Sequence, residues 1–128
     1  MRLGRALAPL ADEGIWIIGS GSTTHNLSDF GSPKPWVAPF VDWLEDVLIS
    51  APEDPALARE KLAKIMQQTP HAHTAHPRTE HLMPLIVAFG AALPWSGDAK
   101  REEGVGGGGI RVKASKIYSQ IVVGTLSL

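Results

Sequence analysis

The sequence predicts an α/β fold: a central, mostly parallel sheet flanked by helices. Three observations point there. An amphipathic stretch at 2–10 runs through Gly14 into a continuous apolar segment, Gly14-Ile15-Trp16-Ile17-Ile18-Gly19-Ser20. That segment empties into a polar, glycine-rich loop at 21–26. Helix-spaced apolar stripes then recur before two β-branched stretches near the end of the chain. Helix, glycine turn, apolar strand and polar loop in that order are the pattern of an α/β unit, and in open α/β sheets ligands bind outside the carboxyl ends of the strands.

Leu3, Ala6, Leu7 and Leu10 fall on one helical face. Gly14 suits the left-handed backbone that ends many helices, and Pro9 unsettles the last turn. The 14–20 segment is apolar on both faces, as in a strand covered by helices on each side. The spacing of Val37, Phe40, Val41, Leu44, Val47 and Leu48 predicts a helix over 35–49. Asp54 as N-cap and Pro55 at the first helical position open a second over 54–66. Residues 67–78 read as a polar loop. A helix then runs from about 77 or 79 to 89, kinked by Pro84 and ended by Gly90. Residues 97–109 form a charged, then glycine-rich linker, and 110–114 and 117–125 read as strands.

Composition narrows the function classes. The 128 residues suffice for one domain. The net charge of -1 argues against nucleic acid and against an electrostatic membrane anchor. No apolar run reaches the roughly 20 residues of a membrane span, so the expectation is a cytoplasmic protein. There is no cysteine, so a metal must be held by His, Asp or Glu.

The glycine loop lacks the third glycine of a dinucleotide fingerprint, since Thr24 stands there. Ser20 lacks the glycine two residues before it that a nucleophile elbow needs, since Ile18 stands there. The glycine run 106–109 is not followed by the lysine of a phosphate loop. Histidine is left. His71, His73 and His76 lie in the polar loop, where solvent-exposed side chains are the ordinary outcome. His25 follows the apolar segment and His81 opens an apolar helix, so both stand where a fold is rigid. Imidazole there can ligate a metal or carry a proton near neutral pH. Trp36 and Trp43, seven residues apart, share a helix face and read as core or subunit contact.

Two motifs carry a resemblance. Gly19-Ser20-Gly21-Ser22-Thr23-Thr24-His25-Asn26-Leu27 is similar to the strand-loop motif of the class III extradiol ring-cleaving dioxygenases, in their DOPA dioxygenase-like (LigB-type) branch. His76-Pro77-Arg78-Thr79-Glu80-His81-Leu82-Met83-Pro84-Leu85, continuing through Ile86 to Ala92, resembles that family's second block. Leu3 to Leu7 and the ending Gly124 to Leu128 also fit. The resemblance implies the C-terminal portion of a single catalytic domain of the LigB-type fold, over 1–128, with Fe(II) or Zn(II) at a non-haem centre. It implies a catechol substrate opened with O2 next to its two hydroxyls. It makes His25 a metal-site histidine that also does acid–base work, makes His81 a metal histidine, and leaves His76 as a helix cap.

Two further metal histidines of the family, in a His-Gly-Ser-Pro-like and a Ser-Ala-His-Trp-like loop, have no counterpart in these residues. The expectation is a truncated chain, inactive alone, that self-associates or needs a companion chain bearing the missing N-terminal histidines. The alternatives are a non-catalytic remnant, a partner-dependent metal-binding module, and a histidine-rich metal binder without catalysis.

Overall fold

A computed structural model of the chain describes residues 1–29, 31, 33–51, 53–93 and 95. Among these the architecture is helical, and no sheet is present. The elements in order are α1 (Arg2–Asp12), a 3₁₀ turn (Leu27–Asp29), α2 (Val37–Ser50), α3 (Pro55–Ala63), α4 (Ile65–Gln68), α5 (Ala72–Ala75) and α6 (Met83–Ala92).

α1 runs past Pro9 and stops where glycine permits it. Gly14 takes φ +79°. Its N–H donates to the Ala11 carbonyl, and the Ile15 N–H donates to the Leu10 carbonyl. These two bonds satisfy carbonyls that the helix end would otherwise leave open.

α2 buries Phe40, Leu44, Val47 and Leu48, the i, i+4, i+7, i+8 stripe expected of one helical face. Trp36 and Trp43 pack against the same core as expected. The Trp36 indole N–H also donates to the Asp29 carboxylate at 2.8 Å. α3 opens on Asp54, whose side chain accepts the Leu57 N–H at 2.9 Å, with Pro55 in the first turn. The predicted single helix over 54–66 breaks at Lys64, and α4 follows as a separate turn. Part of the expected polar loop 67–78 is α5, entered through His71 at φ 59°.

α6 differs from expectation at both ends. It starts at Met83, so Pro84 sits in its first turn and costs no internal hydrogen bond. It also runs through Gly90 to Ala92. Gly90 is a contact residue rather than a stop. A Cβ on Gly4 would lie 2.8 Å from the Gly90 Cα and would run into the Val87 carbonyl. The two helices therefore cross backbone to backbone, a packing that small residues allow. α6 is apolar all round, with Leu85, Ile86, Ala88 and Phe89 buried, because α1 lies against it on one side and α3 touches it on another.

The segment 15–18 is not a strand among the described residues. Ile17 packs against the core and Gly19 is buried. Trp16 and Ile18 are 60% and 61% exposed. From Trp16 to Gly19 exposed and covered residues alternate, while Ile15 is exposed as well, so the run is covered on one face instead of the two expected. A strand is defined by a ladder of hydrogen bonds to a neighbour; Gly19 makes a single β-bridge, and no ladder runs along 15–18 among the described residues. The expected strands at 110–114 and 117–125 and the linker at 97–109 lie outside the described residues.

Candidate metal-site histidine pair

The two motifs, some fifty residues apart in sequence, lie against each other. Four hydrogen bonds join the first motif to the segment 74–81. The Ser22 N–H donates to the His81 carbonyl at 3.0 Å, and the His25 N–H donates to the Ala75 carbonyl at 2.8 Å. The Asn26 amide donates to the Thr74 carbonyl at 2.8 Å. His76 Nε2 meets the Thr23 carbonyl at 2.7 Å. The loop 22–26 is thereby laid along 74–81.

Glycine makes that approach possible. A Cβ at Gly21 would collide with the His81 carbonyl oxygen, and one at Gly19 with the Pro84 carbonyl oxygen. These glycines are needed for close backbone approach rather than for an unusual φ. Within the loop, Ser22 Oγ donates to the Thr24 carbonyl at 2.9 Å. Asn26 Oδ1 accepts the Ser28 N–H at 3.1 Å, which turns the chain into the 3₁₀ turn.

The result brings His25 and His81 together. Their ring centroids are 3.6 Å apart, with the planes tilted by 30°. Both are half-buried. His81 lies in the turn just before α6 rather than on the helix. His71 and His73 are exposed and join no cluster, the ordinary outcome for a polar loop. Among the described residues no group of three or more His, Asp or Glu could hold a metal ion. The donor chemistry fits a divalent metal in part: two imidazoles side by side are suitable nitrogen ligands, and an open non-haem iron site needs at least a third donor.

His76 is the residue that sequence reasoning placed wrongly. The chain position is a cap, since its N–H closes α5 by donating to the Ala72 carbonyl. Its ring, however, is 0% exposed and lies against Phe40, with centroids 5.6 Å apart. Its only sequence signal was a position beside proline in the second motif. Burial holds its pKa below the ordinary histidine value of 6.5, the Thr23 carbonyl opposes that, and His25 and His81 add to the lowering.

A histidine whose folded pKa lies below its unfolded value costs nothing above pH 6.5 and subtracts stability as pH falls through and below it. The urea midpoint should therefore drop between pH 7.5 and pH 5. It should drop less in His76→Gln, which cannot titrate. Equal drops in both proteins would remove His76 as the cause.

Comparison with known proteins shows the family. Residues 1–111 match the model of the catalytic LigB subunit of aromatic ring-opening dioxygenase. A 4,5-DOPA dioxygenase extradiol of Beta vulgaris is 44% identical over 97 residues, covering 71% of this chain and 33% of that protein. One from Portulaca grandiflora is 36% identical over 129 aligned positions, covering 97% of this chain and 40% of that protein. One from Escherichia coli (strain K12) is 31% identical over 101 residues, covering 74% and 34%. The chain thus spans a third to two-fifths of the length of these relatives. Among the described residues no helix is long and apolar enough to cross a membrane. With residues 1–111 of its 128 matched by the family model, the chain belongs to the LigB family of aromatic ring-opening dioxygenases.

Proposed function

We propose that this chain supplies part of an extradiol ring-opening site, in which His25 and His81 are two of the ligands of a non-haem Fe(II) or Zn(II) and His25 also moves the substrate proton. The observation that carries this reading is the contact of the two motif imidazoles at 3.6 Å, on a loop fixed to its partner segment by hydrogen bonds at both ends. The substrate class is a catechol, with DOPA as the candidate named by the relatives, and O2 is the second substrate.

When bound, the metal supplies a template that holds catechol and oxygen side by side. The chain's own residues do the rest. A catechol must give up protons to chelate through both oxygens, and a neutral His25, whose single free lone pair serves either a metal or a proton, would accept one with that nitrogen off the metal. His81 holds its ring against His25 and keeps that ring from turning away. The loop backbone, anchored through Ser22 and Asn26, restricts the angle at which His25 can reach a substrate hydroxyl.

A second reading has its own support. The described residues gather two histidines and no third donor, as a metal-holding module dependent on another chain would. Complementation separates the two. The 128-residue chain is mixed with Fe(II), a 4-substituted catechol, air and the portion of the Beta vulgaris relative that it does not match. Oxygen consumption and the visible absorbance of a ring-opened product are followed. Turnover with wild type and none with His25→Ala, at unchanged catechol binding, supports the enzyme. A complement that binds and gives no product leaves the module.

A further inference from the structure

We propose that His76 is a positioning residue: its neutral imidazole donates through Nε2–H to the Thr23 carbonyl and so holds His25 beside His81. The proposal rests on the reading of that pair as the working site, and it assigns a role outside the pair.

The geometry supports it from four sides. A carbonyl oxygen only accepts, so the 2.7 Å contact requires the proton on Nε2. Nδ1 is buried and has no partner among the described residues, so a second ring proton would be left unsatisfied there. The neutral Nε2–H tautomer follows. The ring cannot swing out, because it is fully buried and packed on Phe40. Thr23, also buried, stands two residues before His25, and the next hydrogen bond along is from the His25 N–H to Ala75, the residue before His76. His25 is therefore bracketed by residues 75 and 76. Freeing the Thr23 carbonyl would release one side of the bracket while leaving the other three joining bonds in place.

The clamp also links core to site. Phe40 belongs to the central apolar cluster, so the ring that touches it passes the rigidity of α2 to the loop carrying His25. Groups that orient a metal-binding histidine from outside the ligand set typically change metal affinity by about 10–100-fold when removed.

The test uses the labelled 128-residue chain without metal. Long-range proton–nitrogen correlation reads the tautomer of His76, and nuclear Overhauser contacts read the distance between the His25 and His81 rings. Expected are a protonated Nε2, a bare Nδ1 and a clear His25–His81 contact. His76→Leu should lose that contact while contacts within the Phe40, Leu44 and Phe89 core persist. His76→Gln, which keeps a donor near the ε position, should restore it. A folded His76→Leu that keeps the contact overturns the proposal, as does a proton on Nδ1 in wild type. Should the leucine variant fail to fold, the glutamine variant decides, since loss of the contact in folded His76→Gln also overturns it.

A parallel titration with Co(II) alone judges the site reading separately. Affinity should fall about tenfold or more in His76→Leu and recover in His76→Gln. A wild-type chain that takes up no Co(II) through His25 and His81 removes the metal-site reading, and the ring contacts still decide the clamp.

Discussion

Replacing Phe40 with alanine is expected to lower the unfolding free energy by about 3–5 kcal/mol. Phe40 is fully buried at the centre of the core shared by α2, α3 and α6. Its ring fills space that Leu44 and its neighbours cannot reach without moving backbone, so truncation leaves a cavity. Natural domains are stable by only about 5–15 kcal/mol, so this loss takes a large part of the total. The effect should not stay in the core. Phe40 forms one wall of the His76 pocket, and the cavity gives that ring room to turn away from Thr23. Phe40→Leu refills most of the volume and should recover much of the stability. Denaturant melts of the three proteins check the order wild type, Phe40→Leu, Phe40→Ala. An alanine variant within about 1 kcal/mol of wild type would show that the core does not depend on this ring.

The helices were legible because their signals are local. The stripe on α2 and the Asp54–Pro55 start of α3 specify themselves within a few residues. Gly14 also behaved as read, since a positive φ is a property of one position. Gly90 did not. Its role depends on Gly4, which α1 brings across it from the far end of the sequence, and no window around 90 contains that information. Pro84 misled for a related reason. A proline can break a helix or start one, and only the observed first turn at Met83 tells which. The apolar run at 15–18 reads as strand from its residues, but a strand also needs a neighbour, and its second face is open among the described residues.

The site was half legible. His25 and His81 stood out through the motifs they sit in, and the fold brings their rings into contact. Sequence spacing alone gave no reason to pair them, because the pairing is made by hydrogen bonds between backbone groups that every residue carries. His76 shows the opposite case. Its backbone caps the end of α5, a helix the sequence did not announce, while its side chain turns inward to a carbonyl 53 residues away. Burial of an imidazole leaves little trace in sequence, since the neighbours that bury it come from α2 and from the loop before it.

The glycine at 21 gives the second large effect. Gly21→Ala adds one methyl group, and its carbon would fall inside contact distance of the His81 carbonyl oxygen. The obstacle is backbone at the foot of α6, which cannot rotate aside as a flexible side chain would. The loop must therefore lift away from 81, and the Ser22 N–H bond to the same carbonyl is lost first. A carbonyl left without its donor and the forced shift together cost about 1–3 kcal/mol. The larger consequence is for the histidines. A loop lifted by even 1 Å separates His25 from His81, and misplacement on that scale can cost about a hundredfold in a positioned reaction. Gly14→Ala is the control. It also removes a glycine, but nothing lies within 4 Å of its added carbon and only its positive φ is strained. Gly21→Ala should lose the His25–His81 ring contact and Co(II) uptake while α1 and α6 remain packed. Gly14→Ala should lose stability and keep both. If the two variants lose Co(II) uptake equally, general destabilisation explains the loss, and close approach at Gly21 does not.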